Sequence, residues 1–264
     1  MEEIILQARG ICAGYRDMPV LESVDIDIKR GKVCSIIGPN GCGKTTLIKV
    51  LSRNLRPRSG SVLLDGGDIF KTNTRLVARK MAVLSQNNSS FSEVNVKTLV
   101  SFGRYAHKKW WHGGDAKDTR IVEWALETTG MTKFADRKIS DLSGGERQRA
   151  WIAMSIAQRP DILLLDEPTT YLDISHQLEI MELVRKLNEQ EGMTIVMVLH
   201  DINHAVRYSN ELIVIKDHRV WETGDPWSIL NDGVLCDVFN VEAEIMKDAE
   251  SGKPVFYAKR VVNT

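Results

Sequence analysis

Nothing in this sequence is long and apolar enough to cross a bilayer: no uninterrupted hydrophobic run approaches the ~18–20 residues that a transmembrane helix needs. The opening stretch, "MEEIILQARG", is acidic and carries no extended apolar core, so it does not read as a secretion signal. There is no excess of charge of either sign, because 35 Lys and Arg balance 35 Asp and Glu. A polynucleotide partner usually leaves a basic imbalance, and none is present, which points away from nucleic acid. Cysteine is scarce. Cys12, Cys34, Cys42 and Cys236 form no C-x-x-C pair and no Cys/His spacing suited to zinc, so they read as reduced thiols without a redox role. Internal repeats, low-complexity tracts and heptad runs are also missing. What remains is a chain of 264 residues with 43% hydrophobic content, enough for one large domain, or one with a subdomain, that is soluble or reaches a membrane through something else.

Strand-like and helix-like segments alternate over most of the length, the pattern of an α/β fold. "CSIIG", "AVLSQ", "ILLLD" and "IVMVLH" are each apolar for several residues, as strands covered on both faces should be. They end in Gly38, Gln86, Asp166-Glu167 and His200. In open α/β sheets ligands bind outside the carboxyl ends of strands, so these residues are expected to converge. Asp-Gly at 65–66 and Asp-His at 217–218 mark hairpin turns, and the stretch from 87 to about 155 is mostly helical around a polar, Trp-containing loop, "HKKWWHGGD". Residues 225–264 read as a short helix followed by β structure.

"GPNGCGKT" (38–45) fits G-x-x-x-x-G-K-[ST], with a strand before it and a helix after it. Gly38, Gly41 and Gly43 let the backbone curl around a phosphate, and the helix adds its positive end. Lys44 is expected to reach the β- and γ-phosphates, and the Thr45 hydroxyl to hold Mg²⁺. Asp166 suits a carboxylate that holds Mg²⁺ directly or through water, and Glu167 one that polarises a water beside the γ-phosphate. No N-K-x-D guanine motif occurs; Tyr15 is either a platform for adenine or simply packed.

A second phosphate-like element, "LSGGERQ" (142–148), lies far downstream. Ser143 and Glu146 have the S-x-x-E spacing of a capping box, so a helix should start there with the bare backbone of Gly144 and Gly145 at its tip. A cap alone needs no paired glycines, so something should approach closely. "HDINH" (200–204) spaces two histidines like a zinc motif, but it lacks the glutamate and begins at a strand end, so His204 reads as structural.

Taken together these motifs resemble the ATP-binding cassette (ABC) ATPases over nearly the whole chain: "GPNGCGKT" as Walker A, Gln86 as the Q-loop, "LSGGERQ" as the signature, "ILLLDE" as Walker B, "TTYLD" as the D-loop and His200 as the switch histidine. The resemblance implies a P-loop NTPase (RecA-like) α/β core with an N-terminal antiparallel β subdomain and an inserted α-helical signature subdomain. It places the core and β subdomain at about 1–86 and 156–235, the helical subdomain at about 87–155, and a C-terminal β tail at about 236–264, within one domain spanning 1–264. It implies ATP and Mg²⁺ as ligands. Tyr15 would stack on adenine, and Gly38, Pro39, Asn40, Gly41, Cys42, Gly43, Lys44, Thr45 and Thr46 would wrap the phosphates. Thr45, Gln86 and Asp166 would hold Mg²⁺. Glu167, Gln86 and His200 would form the catalytic set. Ser143, Gly144, Gly145 and Glu146 would close over the nucleotide of a second copy in a head-to-tail homodimer, with Asp173 reaching across.

The finer resemblance is to ATPases of importers for iron(III)–siderophores, haem and cobalamin, through "GRYAHKKWW", "PTTYLDISHQLEIMELVRKLN" and the ending "VFNVEAEIMKDAESGKPVF". It implies a peripheral position on the cytoplasmic face of the membrane, transmembrane permease subunits as partners, and a solute-binding protein acting indirectly. Residues 87–115 fall where the permease groove is formed, and "KKWW" is either a lipid-headgroup contact or an ordinary loop. The cargo never touches this chain, so siderophore is favoured while haem and cobalamin stay open. A soluble ABC ATPase such as an iron–sulfur assembly factor is the alternative. A P-loop kinase would leave "LSGGE" and Glu167 unexplained.

Overall fold

The computed structural model describes residues 3–16, 18–86, 91–107 and 116–262. The "KKWW" segment at 108–111 and residues 87–90 lie outside the described residues. The chain condenses into two compact units, one made of Met1–Lys71 with Thr194–Thr264, the other of Thr72–Met193.

The first unit opens with two long strands, β1 (Ile4–Tyr15) and β2 (Met18–Lys29), paired antiparallel. Apolar residues alternate along them, so Leu6, Ala8, Ile11 and Ala13 bury with Leu21, Val24, Ile26 and Ile28. β3 (Val33–Ile37) is buried at every position, and α1 (Lys44–Leu51) follows after a glycine-rich loop. β4 (Ser59–Leu64) pairs with β1, and β5 (Gly67–Asp68) returns along β4, completing an antiparallel sheet in the order β2-β1-β4-β5. The β4–β5 turn at Asp65 and Gly66 has φ of 49° and 75°, the left-handed pair that a two-residue hairpin prefers.

The second unit contains α2 (Thr74–Lys80), β6 (Met81–Leu84), α3 (Val96–Phe102), α4 (Ala116–Thr128), α5 (Gly144–Ala157), β7 (Ile162–Asp166) and α6 (Ile174–Glu191). β6 and β7 are parallel, with Leu84 opposite Leu165. Val96, Leu99 and Val100 of α3, Val122, Ala125 and Leu126 of α4, and Ile152, Ala153 and Ile156 of α5 supply a buried helical core. Arg104 ties the ends of these helices together: its Nε donates to Asp118 Oδ1 at 2.8 Å and its Nη1 to the Ala157 carbonyl at 2.7 Å. At 4% exposure the guanidinium needs both partners, since a buried charge left unpaired is strongly destabilising.

The chain then returns to the first unit through β8 (Thr194–Val198), α7 (Ile202–Tyr208), β9 (Glu211–Lys216), β10 (Arg219–Gly224), α8 (Pro226–Ile229), α9 (Asp232–Phe239), β11 (Val241–Lys247) and β12 (Pro254–Val261). β3 lies between β8 and β9, parallel to both, and β10 folds back antiparallel on β9. The terminal β11–β12 hairpin is fastened to α7 by Asn203, whose amide donates to the Phe256 carbonyl at 3.2 Å and accepts from the Phe256 N–H at 3.0 Å.

Candidate functional site

In the first unit, the loop from Gly38 to Gly43 joins β3 to α1. Gly43 is the N-cap of α1 with φ of 109°, a conformation that L side chains rarely adopt. It offers no capping side chain, so the first-turn amides of α1 have no such acceptor. Asn73, Asn95, Ser143, Asp173, Asp201, Asp225 and Asn231 cap α2, α3, α5, α6, α7, α8 and α9, so α1 is the exception among the α-helices whose N-cap is described. An uncapped helix start carries partial positive charge and suits an anion. The Lys44 amine curls back over this loop and donates to the carbonyls of Gly38 at 2.8 Å and Pro39 at 2.9 Å. Asn40 and Gly41 are exposed at the tip, Thr45 is half-buried and Thr46 buried. Burial pushes the Cys42 thiol up, against the opposing pull of Lys44, which leaves Cys42 a small filler and not a reactive thiolate.

Two further expected residues share this unit. Tyr15 stands at the end of β1, 43% exposed as a residue, and its hydroxyl accepts from Lys49 Nζ at 3.2 Å. His200 is exposed just beyond β8. Because Ile36 pairs with Val198, Gly38 and His200 occupy equivalent places past the carboxyl ends of neighbouring parallel strands, as the strand-end pattern predicts. His200 precedes α7 whereas His204 lies within it. Among the described residues no group of three or more His, Cys, Asp or Glu could hold a metal.

In the second unit, Asp166 ends β7 almost fully buried at 4% exposure. Glu167 follows in the left-handed region with φ of 53°. A non-glycine residue held there costs about 1–3 kcal/mol, and such strain concentrates at functional sites. Gln86, two residues past β6, donates from Nε2 to Glu167 Oε2 at 2.6 Å, and Thr170 Oγ1 donates to the same oxygen at 3.1 Å. Gln86 and Glu167 are thus brought together as the convergence of strand ends requires. Thr170 was not anticipated; only its place three residues after Glu167 hints at it.

The signature forms the capping box its spacing predicts. The Ser143 hydroxyl accepts from the Glu146 N–H at 3.3 Å, and the Glu146 carboxylate accepts from the Ser143 N–H at 2.9 Å. That backbone bond holds the Glu146 carboxyl below the usual range. The two glycines differ. Gly144 is exposed, whereas Gly145 is buried beneath His176 of α6: a Cβ there would lie 2.0 Å from the ring carbon Cδ2. The close neighbour of Gly145 is therefore a side chain of its own chain. His176 Nδ1 in turn meets Asp173 Oδ1 at 2.8 Å, and Asp173 caps α6 through the His176 N–H at 2.9 Å, which holds its carboxyl down. Tyr171 and Ile174 flank Asp173 with 93% and 77% of their surfaces exposed, an apolar pair that sequence reasoning passed over.

Comparison with known proteins shows the family. Residues 21–170 match the model of the ABC transporter family. The chain is 46% identical over 255 residues to the iron(3+)-hydroxamate import ATP-binding protein of Bacillus subtilis (strain 168), covering 97% of this chain and 94% of that one. Among solved structures, an inward-facing putative metal-chelate type ABC transporter aligns at a TM-score of 0.83 with 25% identity, covering 97% of this chain and 98% of that one. A dimeric ATP-binding cassette in a post-hydrolysis state, bound to ADP and Pi, aligns at 0.74 with 28% identity, covering 84% and 98%. The chain belongs to the ABC transporter family, as one of its ATP-binding ATPases.

Proposed function

We propose that this chain hydrolyses ATP to energise import of an iron(III)–siderophore complex through separate membrane subunits. The observation that carries the nucleotide part is the loop at 38–43, where an uncapped α1 and the inward-curled Lys44 amine meet a glycine-rich turn. Likeness along almost the whole chain to an iron(3+)-hydroxamate import protein supports the cargo class. Among the described residues no helix is long and apolar enough to cross a membrane, so the passage itself is assigned to permease partners on whose cytoplasmic side this chain sits.

In this scheme residues 38–46 wrap the phosphates, Tyr15 stacks on the base, Glu167 takes the proton of the attacking water, Gln86 orients that water, and His200 contacts the γ-phosphate. The Thr45 hydroxyl, the Gln86 amide oxygen and the Asp166 carboxylate are oxygen ligands suited to a hard cation, and they would hold Mg²⁺. Bound there, Mg²⁺ would neutralise charge developing on the phosphate oxygens. Ser143, Gly144, Gly145 and Glu146 meet the nucleotide of a second copy, and Asp173 lies at that boundary, so ATP favours the closed pair and hydrolysis releases it. The helical subdomain spans about 87–155 and carries the signature.

Purification of the chain from native membranes should bring with it a polytopic permease, and cells lacking the chain should lose uptake of radiolabelled iron(III)-hydroxamate. Copurification with an iron–sulfur scaffold and unimpaired uptake would overturn the assignment.

A further inference from the structure

The β9–β10 hairpin has no part in the scheme above, yet it lies directly against the phosphate loop. Its turn residues, Asp217 and His218, have φ of 46° and 70°. Two-residue hairpins need this left-handed pair, and glycine is the usual solution at the second place. A histidine there is more strained than a glycine, so a side-chain contact that a glycine could not make is expected to offset the cost. Its ring does make a contact: Nδ1 lies 3.0 Å from the Val20 carbonyl, so Nδ1 carries the proton and donates. The same turn is fastened to β2 twice more, by the Glu22 N–H donating to the His218 carbonyl at 2.9 Å and by Arg219 Nη2 on Glu22 Oε2 at 2.8 Å.

The gripped segment of β2 is the wall behind the N-cap of α1. A Cβ on Gly43 would lie 2.7 Å from Leu21 Cδ2 and 3.0 Å from the Val20 carbonyl oxygen, the very atom that His218 holds. The start of the loop rests on the same hairpin directly, since a Cβ on Gly38 would lie 2.1 Å from the Ile215 carbonyl oxygen. Both ends of the phosphate loop are therefore backed by residues 215–218, one directly and one through β2. We propose that His218 is a positioning residue for nucleotide binding: through Val20 it fixes the seat of Gly43, and with it the direction of the α1 amides. This rests on a nucleotide occupying the 38–46 loop.

The test is titration of the purified full chain with ADP and Mg²⁺ by calorimetry, alongside thermal unfolding. His218→Gly relieves the turn strain, so its Tm should match or exceed that of the parent. Losing one hydrogen bond that organises the loop should weaken ADP affinity roughly 3- to 10-fold. His218→Asn tolerates the left-handed region and keeps a shorter N–H donor, so its affinity should fall between the two. An affinity for His218→Gly within about twofold of the parent would overturn the inference. So would parallel loss of Tm and affinity in both variants, which would make the contact merely structural. A parent protein that binds no ADP would refute the nucleotide assignment itself, and Lys44→Ala serves as the control that separates the cases.

Discussion

Replacing Glu167 by glutamine isolates the proton-taking step from everything else the residue does. Oε2 of Glu167 accepts from Gln86 Nε2 and from Thr170 Oγ1, and the amide oxygen of glutamine can occupy the same place and accept from both. The change removes the charge but not the shape, and both residue types meet the same strain at φ of 53°. Charge-assisted bonds are roughly twice as strong as neutral ones, and a neutral bond contributes about 0.5–1.5 kcal/mol. Weakening the pair should therefore cost about 1 kcal/mol, a fall in Tm of about 2–4 °C for a chain of this class. General-base help is worth about 10²–10⁴-fold, so kcat for phosphate release should fall by that factor. KM should shift by no more than the few-fold that about 1 kcal/mol allows. Steady-state phosphate release with ATP and Mg²⁺, paired with thermal unfolding, separates the two effects. A variant retaining more than about a tenth of kcat would refute the base assignment, because general-base help is typically worth at least about a hundredfold. Gel filtration with ATP should show the variant accumulating as a dimer.

Lys44→Ala removes the one amine that donates to both loop carbonyls and, in the proposed scheme, meets the phosphates, so nucleotide affinity should fall at least about tenfold; unchanged affinity in an equilibrium titration would count against the phosphate-loop reading. Ser143→Arg should leave ADP binding by its own subunit intact while preventing dimer formation with ATP, and mixing it with Lys44→Ala subunits should restore at most one composite site; identical monomer binding by the two variants would count against a cross-subunit role. Gly145→Ala should destabilise the fold by about 1–3 kcal/mol, because its Cβ meets the His176 ring, whereas Gly144→Ala, whose nearest neighbour is Leu172 Cδ2 at 3.4 Å, should be nearly neutral in Tm. The depressed Glu146 carboxyl favours the ionised folded state. Its stabilisation is complete above the ordinary glutamate value of about 4.3 and lost as pH falls through its lower folded value; Glu146→Gln should therefore flatten the acid limb of Tm against pH.

Features written in adjacent residues were legible in the sequence. The turn from "CSIIG" into "CGKT", the Ser143–Glu146 box and the left-handed pairs at 65–66 and 217–218 each depend on backbone geometry over a few positions, which residue type dictates. What could not be read was partnership between distant segments. The glycine pair in the signature announced a close approach, yet only the fold shows that His176, presented by the start of α6, fills the space at Gly145. Gln86 and Glu167 were expected to converge, but the third member, Thr170, carries no spacing signal stronger than chance. His218 offered only the oddity of a histidine where a hairpin favours glycine, and its grip on Val20 depends on two strands nearly two hundred residues apart in sequence. The β11–β12 hairpin was anticipated as β structure; its fastening to α7 was not.

One feature of the first unit bears on how the protein is born. β3, which leads into the phosphate loop, finds both of its parallel neighbours in β8 and β9, in the chain's last third. A ribosome therefore delivers the proposed phosphate loop long before the strands that hold it in place exist. Until residues up to about 216 have emerged, the apolar side chains of Val33, Cys34, Ile36 and Ile37 in β3 and its two unpaired edges stay open to the surroundings. Nascent chains stalled short of that point should be held by chaperones and should not retain nucleotide, which makes competence for ATP a late acquisition in synthesis.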